Sequence, residues 1–231
     1  MADDAHQPSE ARAARHNRLF PLNRLEAFSD GVFAIVITLL VLDLHVPADS
    51  DRLLAELVHM WPSFLGYLVS FAFIGGSWVG HTGLTQRVRT ADGVFVSLNL
   101  LQLLFVSFLP FTTKLFTTHM TDTGQRVAVV AFGLNLTVAA VVAGMMATYA
   151  CRADRVSHDE DRAGLAWLER ERWAGVVLMV LTTAVSAVFP KIAVIFYLAV
   201  STLLILLPVW RMHRVGRARR HVGSPKPNGT K

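Results

Sequence analysis

The chain has a single cysteine, Cys151, in 231 residues, so no intrachain disulfide framework holds it together. Charge is scarce too. Asp, Glu, Lys and Arg make up 17% of the sequence, well below the roughly 25% of ordinary soluble domains, and they are gathered into a few segments. Catalytic signatures are missing: there is no HExxH, no CxxC, no GxSxG and no phosphate-binding P-loop. This removes the usual zinc-peptidase, thiol-redox, serine-hydrolase and nucleotide-hydrolysing readings, and the chain does not read as an enzyme. The histidines are scattered, which suits hydrogen bonding better than metal ligation. No cofactor and no resident metal are expected. The net charge of +5 invites a nucleic-acid reading. However, the cations flank apolar runs instead of forming one basic face, so no nucleic-acid partner is expected.

Apolar sequence is what the chain has in quantity: 53% of its residues are hydrophobic. Runs of about 20 such residues are long enough to cross the hydrocarbon layer as helices. Six spans are predicted, at 24–45, 61–81, 93–116, 127–150, 173–189 and 191–210, which makes the fold class an all-α integral membrane protein. Phe189-Pro190-Lys191 supplies a tight turn between the last two. Trp61 and Trp78 bracket the second span, Trp173 opens the fifth and Trp210 closes the sixth, a placement that fits interfacial aromatic belts.

Lysine and arginine set the orientation. Eighteen of the 22 lie before Arg24 or at it, in the 2–3 and 4–5 loops, and from Arg211 onward, while Arg52, Lys114, Arg126 and Lys191 occupy the other side. The positive-inside rule then places both termini in the cytoplasm, in a cell-membrane protein that contacts lipid. Residues 1–23 read as a cytoplasmic segment without a cleavable signal. Residues 24–210 read as the transmembrane domain and 211–231 as a basic, disordered tail. The charged 151–172 stretch reads as a partly helical cytoplasmic extension.

The most informative segment is RLEAFSDGVFAIVITLLVLDL, from Arg24 to Leu44. It places Ser29 and Asp30 inside a membrane-length helix, where a carboxylate is costly unless paired or turned toward protein. Asp30 and Asn99 lie at similar depths from the same side, and His81 ends the second span there. Ser29, Asp30, His81 and Asn99 are therefore expected to form one polar layer. At 100° per residue, Ile35, Leu39 and Leu42 fall on one stripe edged by Thr38, while Ser29 and Asp30 sit about 120° and 140° away. An apolar stripe of this kind is most often a packing or lipid-facing surface.

Arg24, Phe28, Ser29 and Asp30, in the pattern RxxxFSD, together with the GVFAIVITLLVLDL that follows and Trp61, Tyr67, Ser70, Phe71, Gly76, Trp78 and His81 of the second span, resemble the transmembrane protein 175 family of potassium channels. The likeness is closest over about residues 18–116. The resemblance implies a homotetramer whose first helices line a central pore that conducts potassium ions without a TVGYG filter. It implies Ile35 as the constriction, Leu39 and Leu42 as further apolar rings, and Thr38 as a source of hydroxyls. It also implies Arg24, Phe28, Ser29, Asp30, His81 and Asn99 as the motif and its structural network. A ring of isoleucines gates by dewetting. Ions crossing it shed part of their water, which potassium does more readily than sodium. The runner-up reading is a proton-coupled transporter with Asp30 and His81 as relay groups, although inverted repeats and broken helices are not evident.

Overall fold

The computed structural model describes residues 20–47, 51–88, 90–120, 122–152, 159–203 and 206, without the side chains at 159–165. Helix α1 (Leu22–Leu42) starts after Pro21, whose extended backbone turns the chain into the helix. Its start is fixed by Phe20, whose N–H donates 2.9 Å to the Ala91 carbonyl. A short helix, α2 (Leu53–His59), leads into α3 (Trp61–Thr85), where Pro62 occupies the first turn, a position that leaves no useful N–H unmet.

The third expected span is built from two helices, α4 (Gly93–Ser107) and α5 (Leu109–Thr118). Pro110 has no N–H to continue the ladder, so the helix breaks there. Asp92 caps α4: one carboxylate oxygen accepts the Phe95 N–H at 3.0 Å, and the other accepts the Tyr149 hydroxyl at 2.7 Å. Tyr149 belongs to α6 (Gln125–Arg152), which runs through the middle of the bundle and packs against α3, α4, α5 and α7 (Asp159–Ser186). After α7, Pro190 opens α8 (Pro190–Leu203), and Tyr197 ties the pair together by donating 3.0 Å to Thr183 Oγ1.

The larger core cluster includes Phe33, Val36 and Leu40 of α1, Phe73 and Ile74 of α3, Phe116 of α5, Phe132 and Leu136 of α6, and Tyr197 of α8. Phe132 stacks on Phe116 with ring centroids 5.2 Å apart and meets Tyr197 edge-on at 5.8 Å. A second cluster joins Leu25, Leu84, Phe95, Met146 and Ala150 at the other end of these helices. Lipid tails are as apolar as leucine, so close fit and polar bonds hold such a bundle together. Small residues allow that fit: Gly133 lies directly against the Tyr197 hydroxyl and Thr183.

Among the described residues, four segments are long and apolar enough to cross a membrane: Leu22–Leu42, Trp61–Thr85, Gly93–Thr118 and Gln125–Arg152. The expected fifth span is not a separate helix. Residues 173–186 are the second half of α7, continuous with the charged stretch from Asp159. That apolar half is about 21 Å long by helical rise, short of the ~30 Å layer. The expected sixth span begins as α8, and its end, with Trp210, lies outside the described residues, as do 1–19 and the tail from 207.

Candidate functional site

Helix α1 presents two faces. Leu25, Ser29, Phe33, Val36 and Leu40 are buried against the bundle. Ile35 (60% exposed), Thr38, Leu39 and Leu42 (76%) form the opposite face, which no other described residue covers. The split follows from spacing: positions three, four and seven apart share a face. Thr38 Oγ1 donates 2.8 Å to the Ile35 carbonyl on the same helix.

The buried face is anchored by a chain of hydrogen bonds. The Ser29 hydroxyl donates to the Leu25 carbonyl at 2.8 Å and accepts the Asn99 amide at 3.0 Å. The Asn99 carbonyl accepts His81 Nε2–H at 2.7 Å. In that direction Nε2 carries the donating hydrogen, while Nδ1 is buried without a hydrogen-bond partner among the described residues. The three side chains are 0–1% exposed, and the His81 ring rests on Phe33 at 5.6 Å. One polar chain thus links α1, α3 and α4.

Asp30 stands outside that chain. Its Oδ1 accepts the Trp78 indole N–H at 2.8 Å, a second tie between α1 and α3. A third lies one turn lower, where Thr85 donates 3.1 Å to Glu26 Oε1. Trp78 therefore has a partner inside the protein in addition to any place in an aromatic belt. Glu26 and Thr85 were not among the expected site residues. The available signal was that Glu26 lies one turn from Asp30 on α1, so both carboxylates face one neighbour. Arg24 and Phe28 are not brought to the Ser29–Asn99–His81 chain. Both are exposed, on the face that carries Ile35.

At the far end of α1, Lys114 donates 3.4 Å to the Asp43 carbonyl and lies 3.9 Å from Asp43 Oδ1. The ammonium meets the last carbonyls of the helix, the end that favours a cation. It also offsets part of the negative charge of the Asp43 carboxylate. No group of three or more His, Cys, Asp or Glu able to hold a metal occurs among the described residues.

The same segment that builds this two-faced helix and its anchor, residues 24–110, matches the family described as endosomal/lysosomal potassium channel TMEM175. A protein of Chamaesiphon minutus called a potassium channel is 35% identical over 184 residues, covering 77% of this chain and 91% of that one. The chain belongs to the TMEM175 family. Its members in animals are more distant in extent: human TMEM175, called an endosomal/lysosomal proton channel, is 42% identical over 119 residues, covering 46% of this chain and 24% of the human one. The solved structure of a lysosomal potassium-selective channel TMEM175 homolog from Chamaesiphon minutus superposes with a TM-score of 0.69 at 32% identity. It covers 82% of this chain and 97% of its own. As a TMEM175 member the protein is an ion channel of membranes, built from mostly apolar helices.

Proposed function

We propose that the protein is a potassium-selective channel of the cell membrane, with four copies placing their α1 helices around a central pore. The observation that carries this reading is the uncovered face of α1. Ile35, Leu39 and Leu42 lie in one row that no other described residue covers, while Ser29 and Asp30 of the same helix are bonded to neighbouring helices. A face of that composition needs either lipid or other copies of itself. The family membership, and the bacterial relative called a potassium channel, favour the second. In the tetramer Ile35 forms the neck, Leu39 and Leu42 the rings beyond it, and Thr38 the hydroxyls beside it. The neck opens and closes by wetting and drying, and potassium is preferred because it loses water more readily than sodium. Ser29, Asp30, His81 and Asn99 support the pore helix, and Arg24 and Phe28 complete the motif on its uncovered face. Residues 1–23 and 211–231 flank the 24–210 channel domain on the cytoplasmic side.

A transporter that uses Asp30 and His81 as relay groups is less well supported. Asp30 is held by Trp78 and His81 by Asn99, and α1 is unbroken from Leu22 to Leu42, whereas transporters commonly break helices at the binding site. Proteoliposomes carrying opposed potassium and proton gradients separate the two readings: a channel lets potassium run down its own gradient, and a transporter couples the two.

The direct test is Ile35→Asn. A polar ring hydrates the neck, so currents are expected to rise and the reversal potential between potassium and sodium solutions to move toward zero. Ile37→Asn, on the side packed against the core, should lower assembly and leave ion preference intact. Full potassium preference in the Ile35 variant would remove it from the neck.

A further inference from the structure

Outside the pore face, Arg172 is a charged group in an apolar setting that the channel reading leaves without a task. Arg172, midway along α7, reaches into a cleft between α3, α6 and α7. Phe73 and Gly76 of α3, Ala140 and Ala143 of α6, and Leu168 of α7 line it. Nη1 of Arg172 donates 3.1 Å to the Ala143 carbonyl. Nε and Nη2 are closed off from solvent and have no hydrogen-bond partner among the described residues.

The identity of those two nitrogens matters. Nε–H and the neighbouring Nη2–H form the side-on fork of the guanidinium, the edge that grips two oxygens of a phosphate or carboxylate at once. Donors of a charged group left unmet in an apolar setting are costly. The cleft encloses about 60 Å³. One water needs roughly 10–15 Å³ by that measure, so the space suits a group of several heavy atoms. Gly80 makes the approach possible: a Cβ there would stand 2.9 Å from Arg172 Nη2. Burial lowers the pKa of the Arg172 guanidinium to about 10, with Glu171 opposing in part; Glu171 also lines the cleft, so an anion bound there meets one carboxylate as well as the guanidinium. Further along α3, the Arg87 guanidinium is bonded to the Gly83 carbonyl, one turn beyond Gly80.

We propose that this cleft binds the phosphate of an anionic phospholipid from the leaflet at the C-terminal end of α3. The phosphate takes the Nε–Nη2 fork of Arg172, and an acyl chain lies along Phe73, Gly76 and Ala140. Basic pockets between membrane helices are known to recognise lipid headgroups in this way. The apolar wall favours lipid over free phosphate, since inorganic phosphate gains nothing from Phe73 or Ala140. The site backs onto the pore helix anchor, because Gly80, which meets Arg172, precedes His81.

The test uses the purified full chain in neutral detergent, titrated with short-chain phosphatidylglycerol, diacylglycerol or inorganic phosphate, and read by native mass spectrometry. The wild type is expected to bind phosphatidylglycerol and neither of the others at comparable concentration. Arg172→Gln is expected to weaken that binding about tenfold or more, the loss typical of a charge-assisted bond. Ala140→Trp fills the apolar wall while keeping Arg172, and it should weaken lipid binding even if Arg172→Gln does not fold. Unchanged lipid affinity in the folded Arg172→Gln protein or in Ala140→Trp overturns the proposal. Inorganic phosphate binding as tightly as the lipid assigns the cleft to a free anion and overturns it equally.

Discussion

Ser29 and Asp30 are neighbours in sequence and are held by different helices. Ser29 is bonded to Asn99 of α4 and Asp30 to Trp78 of α3, so two adjacent side chains fix the rotation of α1 against two partners. Their depth and phase were legible in the sequence: a serine and an aspartate 120–140° from an apolar stripe have to face protein. The partner of Asp30 was not, because a tryptophan near a span end is equally suited to an interfacial belt. Trp78→Phe removes the indole donor and keeps the ring. We expect a loss of about 0.6–2 kcal/mol in stability, the usual range for one interhelical bond in a bilayer, with ion preference unchanged. Asn99→Leu should cost more, since it strips partners from both Ser29 and His81. Thermal unfolding in detergent, followed by reversal potentials of whatever assembles, checks both.

At the scale of elements, periodicity foretold the two faces of α1, whereas the interruption between α4 and α5 falls inside a span expected to be single, at Pro110. The junction at Trp173 was misread, and the reason is physical. Alternating charges from 159 to 172 are compatible with helix, and no proline separates them from the apolar residues that follow, so nothing stops the helix at the expected boundary. Helix α2 was missed because none of its seven residues is buried and its apolar side chains look like loop. The tightest meeting of elements is at Gly133, where α6 touches Tyr197 of α8 and Thr183 of α7. Gly133→Leu is expected to separate these helices and shift purified protein into aggregate on size exclusion. Gly93→Ala, at the start of α4 where an added Cβ meets nothing within 4 Å, should elute as wild type.

For the whole molecule, the cation asymmetry of eighteen against four predicts that reporters active only in the cytoplasm work on residue 1, on residue 231 and within 151–172. A reporter active within 46–58 would invert the topology. The proposed tetramer would add a consequence that one chain does not display. Thr38 gives its only hydroxyl hydrogen to the Ile35 carbonyl, which leaves its oxygen lone pairs as the outward-facing chemistry. Four such residues around the proposed axis would offer acceptors and no donors. A passing cation would find oxygen to replace part of its lost water, while chloride would find nothing to bind. In this arrangement a ring of uncharged side chains rejects anions through the direction of one internal hydrogen bond.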